Sequence, residues 1–192
     1  MTRLALLIDQ ERCIGCESCT MACKMENTPN GGPHIRVKTI GGGGRDVPAG
    51  HYPDLTMDFL PETCMHCAKP SCVDACPSDA IVKRPDGVVV LDQEQCTGCG
   101  SCVEACPYGA IRLDDARGVA AKCNLCSHRI DKGLEPFCVR CCEGQAMHFG
   151  DLDVPQSKIA RLASKRKTFT LKPEAGTGPT VIYAAPLPKR KL

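Results

Sequence analysis

The chain has 192 residues, seventeen of them cysteine, with 24 Lys and Arg against 22 Asp and Glu for a formal net charge of +2. Charge this evenly matched gives no electrostatic case for nucleic acid, and no run of about 18 apolar residues is present to cross a membrane as a helix. With no Trp, three Tyr and four Phe, the side chains that dominate most cores are scarce, so something besides apolar burial must organise the fold. The opening residues 1–9 contain too short an apolar stretch, and no small-residue cleavage site, for a secretory signal peptide.

Taken in chain order, a short apolar strand at the N-terminus runs into Cys13-x2-Cys16-x2-Cys19-x3-Cys23. Residues 29–61 follow as a long connection broken by Gly41-Gly42-Gly43-Gly44, which reads as a mobile surface loop. Within it, the alternation over 34–40 predicts a strand. The second group is Cys64-x2-Cys67-x4-Cys72-x3-Cys76-Pro77. Residues 80–82 and 88–91 around Pro85-Asp86-Gly87 then predict a β-hairpin. The third group is Cys96-x2-Cys99-x2-Cys102-x3-Cys106-Pro107, followed by a second predicted hairpin, 111–113 with 119–121, around Arg117-Gly118. The fourth is Cys123-x2-Cys126, then Cys138-x3-Cys142 with Cys141 as an extra. Residues 155–167 have helical spacing, with Ile159, Leu162 and Ala163 on one face and Lys158, Arg161, Lys165 and Arg166 elsewhere. Residues 168–192 show little periodicity; such a tail is expected to lie along another subunit or to fray.

Disulfides, zinc and iron–sulfur clusters compete for these cysteines. Cysteines three apart in a tight loop seldom meet disulfide geometry. Zinc suits the fourth group alone, as two pairs separated by a loop. The third group is the bacterial ferredoxin run without alteration, in which three cysteines hold one [4Fe–4S] cubane and the fourth reaches a second. The chain also repeats: residues 7–16 match 90–99, and 77–81 parallel 107–111. Each unit reads as ligand loop, short helix and hairpin, and four motifs make two facing pairs. The predicted class is therefore α+β: two intercalated ferredoxin-like modules with small hairpins and short helices, plus an extended C-terminal tail. Residues 1–30 and 120–150 would form the first module and 62–119 the second, with 31–61 a glycine-rich insertion and 151–192 a helix and partner-docking tail. Gly15, Gly98 and Gly100 beside the ligand positions either let backbone N–H groups approach a cluster or simply make turns.

These motifs resemble the four-cluster iron–sulfur subunit of the dimethyl sulfoxide reductase-type molybdenum or tungsten enzymes, such as polysulfide, thiosulfate and respiratory arsenate reductases. The resemblance is carried by Met21-Ala22-Cys23-Lys24-Met25-Glu26-Asn27, Cys64-Met65-His66-Cys67, Lys122-Cys123-Asn124-Leu125-Cys126-Ser127-His128-Arg129, Phe149-Gly150-Asp151-Leu152-Asp153 and residues 172–179. It implies four [4Fe–4S] clusters: Cys13, Cys16, Cys19 and Cys142 at the first, Cys123, Cys126, Cys138 and Cys23 at the second. Cys64, Cys67, Cys72 and Cys106 would hold the third, and Cys96, Cys99, Cys102 and Cys76 the fourth. It further implies an electron-transfer subunit without a catalytic site of its own, attached to a pterin catalytic chain and to a membrane anchor or other redox partner. Such a complex is membrane-associated on either face, by co-export to the periplasm or in the cytoplasm. An independent polyferredoxin-type small subunit, as of a tungsten aldehyde oxidoreductase, and a zinc-stabilised interaction module are the alternatives.

The run Arg140-Cys141-Cys142-Glu143 departs from the family pattern, which has a small residue at the Cys141 position and Pro at the Glu143 position. The C-x3-C spacing favours Cys142 as ligand, with Cys141 as the alternative or as a spare thiol. Glu143 is either solvated or a negative charge beside a cluster. His66 and His128 read as packing or hydrogen-bonding residues, since the cysteines leave no ligand vacancy. Lys24, Lys122 and Arg129 either offset cluster charge or make ordinary salt bridges.

Overall fold

The computed structural model describes residues 2–28 and 32–187; the expectations for Met1, for 29–31 and for the last five residues of the tail lie outside the described residues. At its centre, β1 (Leu4–Asp9) pairs antiparallel with β8 (Met147–Asp151) on one side and parallel with β10 (Val181–Ala184) on the other. The two-residue β9 (Thr168–Phe169) completes the sheet in the order β8-β1-β10-β9. Successive strand residues face opposite sides. Leu6 and Ile8 therefore join Val181, Tyr183 and Met147 in the main core, whereas Ala5 and Leu7 meet α6 (Lys158–Lys165) through the fully buried Ile159. A strand covered on both faces reads as a continuous apolar run, which is why LALLID shows no alternation.

The tail corrects the expectation of an extended, partner-borne segment. Val181 and Tyr183 are buried among the first residues of the core, and the Tyr183 hydroxyl donates to the Pro61 carbonyl oxygen at 2.8 Å. The Phe169 and Tyr183 rings stack with centroids 5.4 Å apart. Four consecutive residues, VIYA, supply the apolar surface that a search for longer periodicity passes over, and their partner is β1, at the opposite end of the sequence. The apolar face of α6 is likewise spent on this chain's own sheet. Its C-terminal Arg166 is paired at 3.0 Å with the buried Asp9 that ends β1.

Both predicted hairpins form, as β4 (Ile81–Lys83) with β5 (Val89–Leu91) and β6 (Ile111–Asp114) with β7 (Val119–Lys122). The insertion contributes β2 (Arg36–Ile40), paired antiparallel with β3 (Asp58–Glu62), and the glycine run lies in largely exposed turns between them. The remaining helices are α1 (Ser18–Asn27) and the four- or five-residue α2 (Ser71–Asp74), α3 (Ser101–Ala105), α4 (Ser127–Ile130) and α5 (Phe137–Arg140). Among the described residues, no helix is long and apolar enough to cross a membrane. Each C-x3-C step falls on or beside one of these helices, carrying the second thiol about 6 Å along the axis.

Candidate metal centre

The helices and hairpins gather the cysteines in fours. Cys64, Cys67, Cys72 and Cys106 line one cavity together with Val89, Tyr108 and Thr177. Cys23, Cys123, Cys126 and Cys138 line a second, with Asn27, His34 and Leu125. Cys76, Cys96, Cys99 and Cys102 line a third. The remaining four are also neighbours, since Cys13 is within electrostatic reach of Cys142 and Cys16, and Cys19 of Cys13 and Cys142. Cys141 caps the end of α5, and neither thiol just named responds to it. No disulfide links any of the seventeen. Among the described residues, no three His, Cys, Asp or Glu side chains converge as one metal ion would require; a cubane holds its thiolates farther apart than a single ion does.

The donors around these thiols fit a cluster. Backbone N–H groups donate to sulfur from His34 to Cys23 (3.3 Å), from Ala120 to Cys96 (3.4 Å), from Leu125 to Cys123 (3.3 Å) and from Ala146 to Cys142 (3.2 Å). The Asn27 amide donates to Cys126 at 3.5 Å and reaches Cys23 at 3.8 Å. Donors of this kind stabilise sulfur in its anionic form. Burial acts against them: it pushes the Cys19, Cys72 and Cys123 thiols up to about 12 and Cys138 well above the ordinary thiol range. Without a bound cation these interiors favour neutral thiols, so metal and thiolate must arrive together.

The glycines are explained by turns and packing. Gly98 has φ +70°, and a Cβ there would stand 2.1 Å from the Gly118 carbonyl oxygen; at Gly15, φ +68°, it would stand 2.4 Å from the Phe59 ring. His128 bonds Glu26 at 2.8 Å, and Arg129 pairs with the same carboxylate at 3.4 Å while stacking on Phe137. Both are thus held by ordinary contacts. Glu143 is exposed. The N–H of Val89 donates to Nδ1 of the buried His66 at 3.1 Å, which puts the imidazole proton on Nε2. Burial first, and the Lys122 charge second, hold that imidazole well below its usual range and therefore neutral.

Sequence reasoning missed Asn27, His34 and Thr177 as neighbours of the thiols. Asn27 and His34 follow the first motif closely, but polar residues at these positions carry no spacing signal. Thr177 comes from the tail. Its hydroxyl meets Tyr108 at 2.7 Å, and the Thr177 and Gly178 carbonyls accept from the N–H groups of Lys69 and Ala68, strapping the tail over the second cysteine group.

Cys142 and Cys141 can be separated by substitution. Cys142→Ala is expected to destroy one of four clusters or reduce it to a three-iron form visible by electron paramagnetic resonance, and Cys141→Ala to leave four intact. The reverse result would make Cys141 the ligand.

Comparison with known proteins supplies the family. Residues 55–152 match a 4Fe-4S dicluster domain, and residues 12–80 match a second family described in the same words. These matches set aside the zinc module. The sequence is 42% identical to a subunit of the tetrathionate reductase of Salmonella typhimurium, over 94% of this chain and 72% of that protein. It is 34% identical to the arsenate respiratory reductase iron-sulfur subunit of Shewanella sp., over 94% and 95%. A component of the anaerobic dimethyl sulfoxide reductase of Escherichia coli is 35% identical over 93% of both proteins. With four [4Fe–4S] clusters as its cofactors and no catalytic role of its own, this protein belongs to the family of 4Fe–4S dicluster electron-transfer subunits of oxidoreductase complexes.

Proposed function

We propose that the chain relays single electrons between a molybdenum or tungsten pterin catalytic subunit and a second redox partner, a membrane anchor subunit or its equivalent. The ligands are Cys13, Cys16, Cys19 and Cys142; Cys23, Cys123, Cys126 and Cys138; Cys64, Cys67, Cys72 and Cys106; and Cys76, Cys96, Cys99 and Cys102. Residues 1–30 with 120–150, and 62–119, form the two intercalated ferredoxin-like modules. The clusters supply one-electron storage; the chain supplies their spacing, their burial and the charge around them.

One observation carries this reading: of the seventeen cysteines only Cys16 and Cys99 are exposed, and they belong to different quartets. The other two quartets adjoin each other inside, where Cys123 feels the charge of Cys64, and the Cys138 thiol feels Cys19 of the first quartet. Cys72 of the other interior quartet shares a core with Cys102 of the Cys99 quartet, so the quartets follow one another from the Cys16 end through two interior quartets to the Cys99 end, a path with a surface opening at each terminus.

The two openings differ. Ile14, two residues before Cys16, and Met21 and Met25, one turn apart on the following α1, are 61%, 56% and 66% exposed, apolar residues suited to a permanently attached subunit. Thr97, Gly100 and Ser101 surround Cys99 instead, with Leu113, 42% exposed, as the apolar neighbour on the far side of Gly100. The Cys16 opening is assigned to the catalytic chain, and a complex docked on a membrane would present the Cys99 opening to its anchor. Met21→Glu with Met25→Glu should leave about sixteen irons per chain while sharply reducing co-purification with the catalytic chain. Undiminished co-purification would remove the assignment.

A further inference from the structure

Lys122 ends β7 immediately before the ligand position Cys123, and it is only 4% exposed. Its ammonium donates to the Val89 carbonyl oxygen and, at 2.7 Å, to that of Cys123. Among the described residues no carboxylate is paired with it; the ion pairs of this region, Glu26 with His128 and Arg129 and Arg84 with Asp86 and Asp131, leave it out. A buried charge satisfied by two carbonyls alone is costly unless an opposite charge lies near. Its surroundings show where that charge belongs. Val89 lines the cavity of Cys64, Cys67, Cys72 and Cys106, and Cys123 lines that of Cys23, Cys126 and Cys138. Lys122 itself lines neither cavity but an open one beside them; its two acceptors belong one to each quartet's wall, which holds the ammonium next to both interior quartets.

We propose that Lys122 is the positioning charge of the interior cluster pair, its fixed cation compensating both clusters and raising both their reduction potentials relative to the same clusters without it. The inference rests on the ligand sets proposed above. Reduction adds one electron to a cluster, with no bond made or broken, and so increases its negative charge by one unit. A cation held nearby stabilises the reduced form more than the oxidised one. Lys24 and Arg129 do not share this position: Arg129 is neutralised by Glu26, and Lys24 lies partly exposed on α1.

The test is a potentiometric titration of the full complex, followed by electron paramagnetic resonance, for the wild type, Lys122→Met and Lys122→Arg. Four one-electron waves and about sixteen irons per subunit in the wild type check the cluster assignment by itself. The proposal requires that two of the four midpoint potentials fall in K122M, that the other two stay, and that K122R keeps all four near wild type. It is overturned if no potential moves, if all four move together, or if K122M and K122R shift alike, which would mean a packing effect. Loss of clusters from K122M but not from K122R supports charge compensation in its strongest form; loss from both overturns it.

Discussion

Truncation after Lys167 is expected to abolish the native fold, and with it the clusters, rather than merely release a partner. The cut removes β9 and β10, and with them the parallel neighbour of β1 over Leu6, Leu7, Ile8 and Asp9. It uncovers Leu6 and Ile8, which pack against Val181 and Tyr183, and removes the Thr177 strap from the second cysteine group. Burial of each large apolar side chain contributes about 1.5–3 kcal/mol, against a total stability of about 5–15 kcal/mol for a typical domain. A graded version keeps the chain intact. Tyr183→Ala should cost about 3–5 kcal/mol through the cavity it leaves, whereas Tyr183→Phe should cost about 1 kcal/mol for the lost bond to Pro61. Iron content and circular dichroism of the anaerobically purified truncation decide the matter. A truncated chain with a full iron complement and a native spectrum would return the tail to its expected role as a docking segment.

What could be read from the residues divides along a physical line. Cysteine spacing is a local property, and hairpins are made by neighbours in sequence. The Pro85-Asp86-Gly87 and Arg117-Gly118 turns and the short apolar runs beside them were therefore legible, as was the stretch 34–40 that contains β2. The grouping of cysteines into fours came from family likeness, because C-x3-C alone does not say which distant loop supplies the fourth thiol. The central sheet was illegible for the same reason. β1, β8 and β10 are joined by pairings such as Leu6 with Phe149 and Leu6 with Val181, and β10 is too short and too completely buried to show a period. β3 is hidden because Pro61 within it argues against a strand; it is tolerated in a two-stranded ribbon. Lys122 is visible in the sequence as a cation near a ligand, but only its burial and its carbonyl-only partners separate it from Arg129, whose charge is spent on Glu26.

Removal of iron by chelation under air is expected to unfold the two halves unequally. The core around the proposed second module consists of Cys72, Ile81, Val89, Cys102, Ile111 and, from the neighbouring segment, Ala120, so two of its six buried residues are proposed ligands. Its large aliphatic side chains, at about 1.5–3 kcal/mol each, cannot offset an ordering cost of about 1–2 kcal/mol per residue over the whole module. Without iron, burial leaves Cys72 as a neutral thiol and nothing ties its loop to Cys106. The central sheet differs, because Leu6, Ile8, Met147, Val181 and Tyr183 meet there, and only Cys19 and Cys23 of the eleven buried residues in that core are proposed ligands. Hydrogen exchange should then show loss of protection in β4, β6 and β7 of the iron-free protein, with partial protection retained in β1, β8 and β10 and around Val88, which packs against them. Cooperative thermal unfolding should disappear at the same time, since the ligand loops no longer couple the halves. Native-like protection in β4, β6 and β7 without iron would mean that the second module's own packing is sufficient, and that the clusters are passengers in its fold rather than its core.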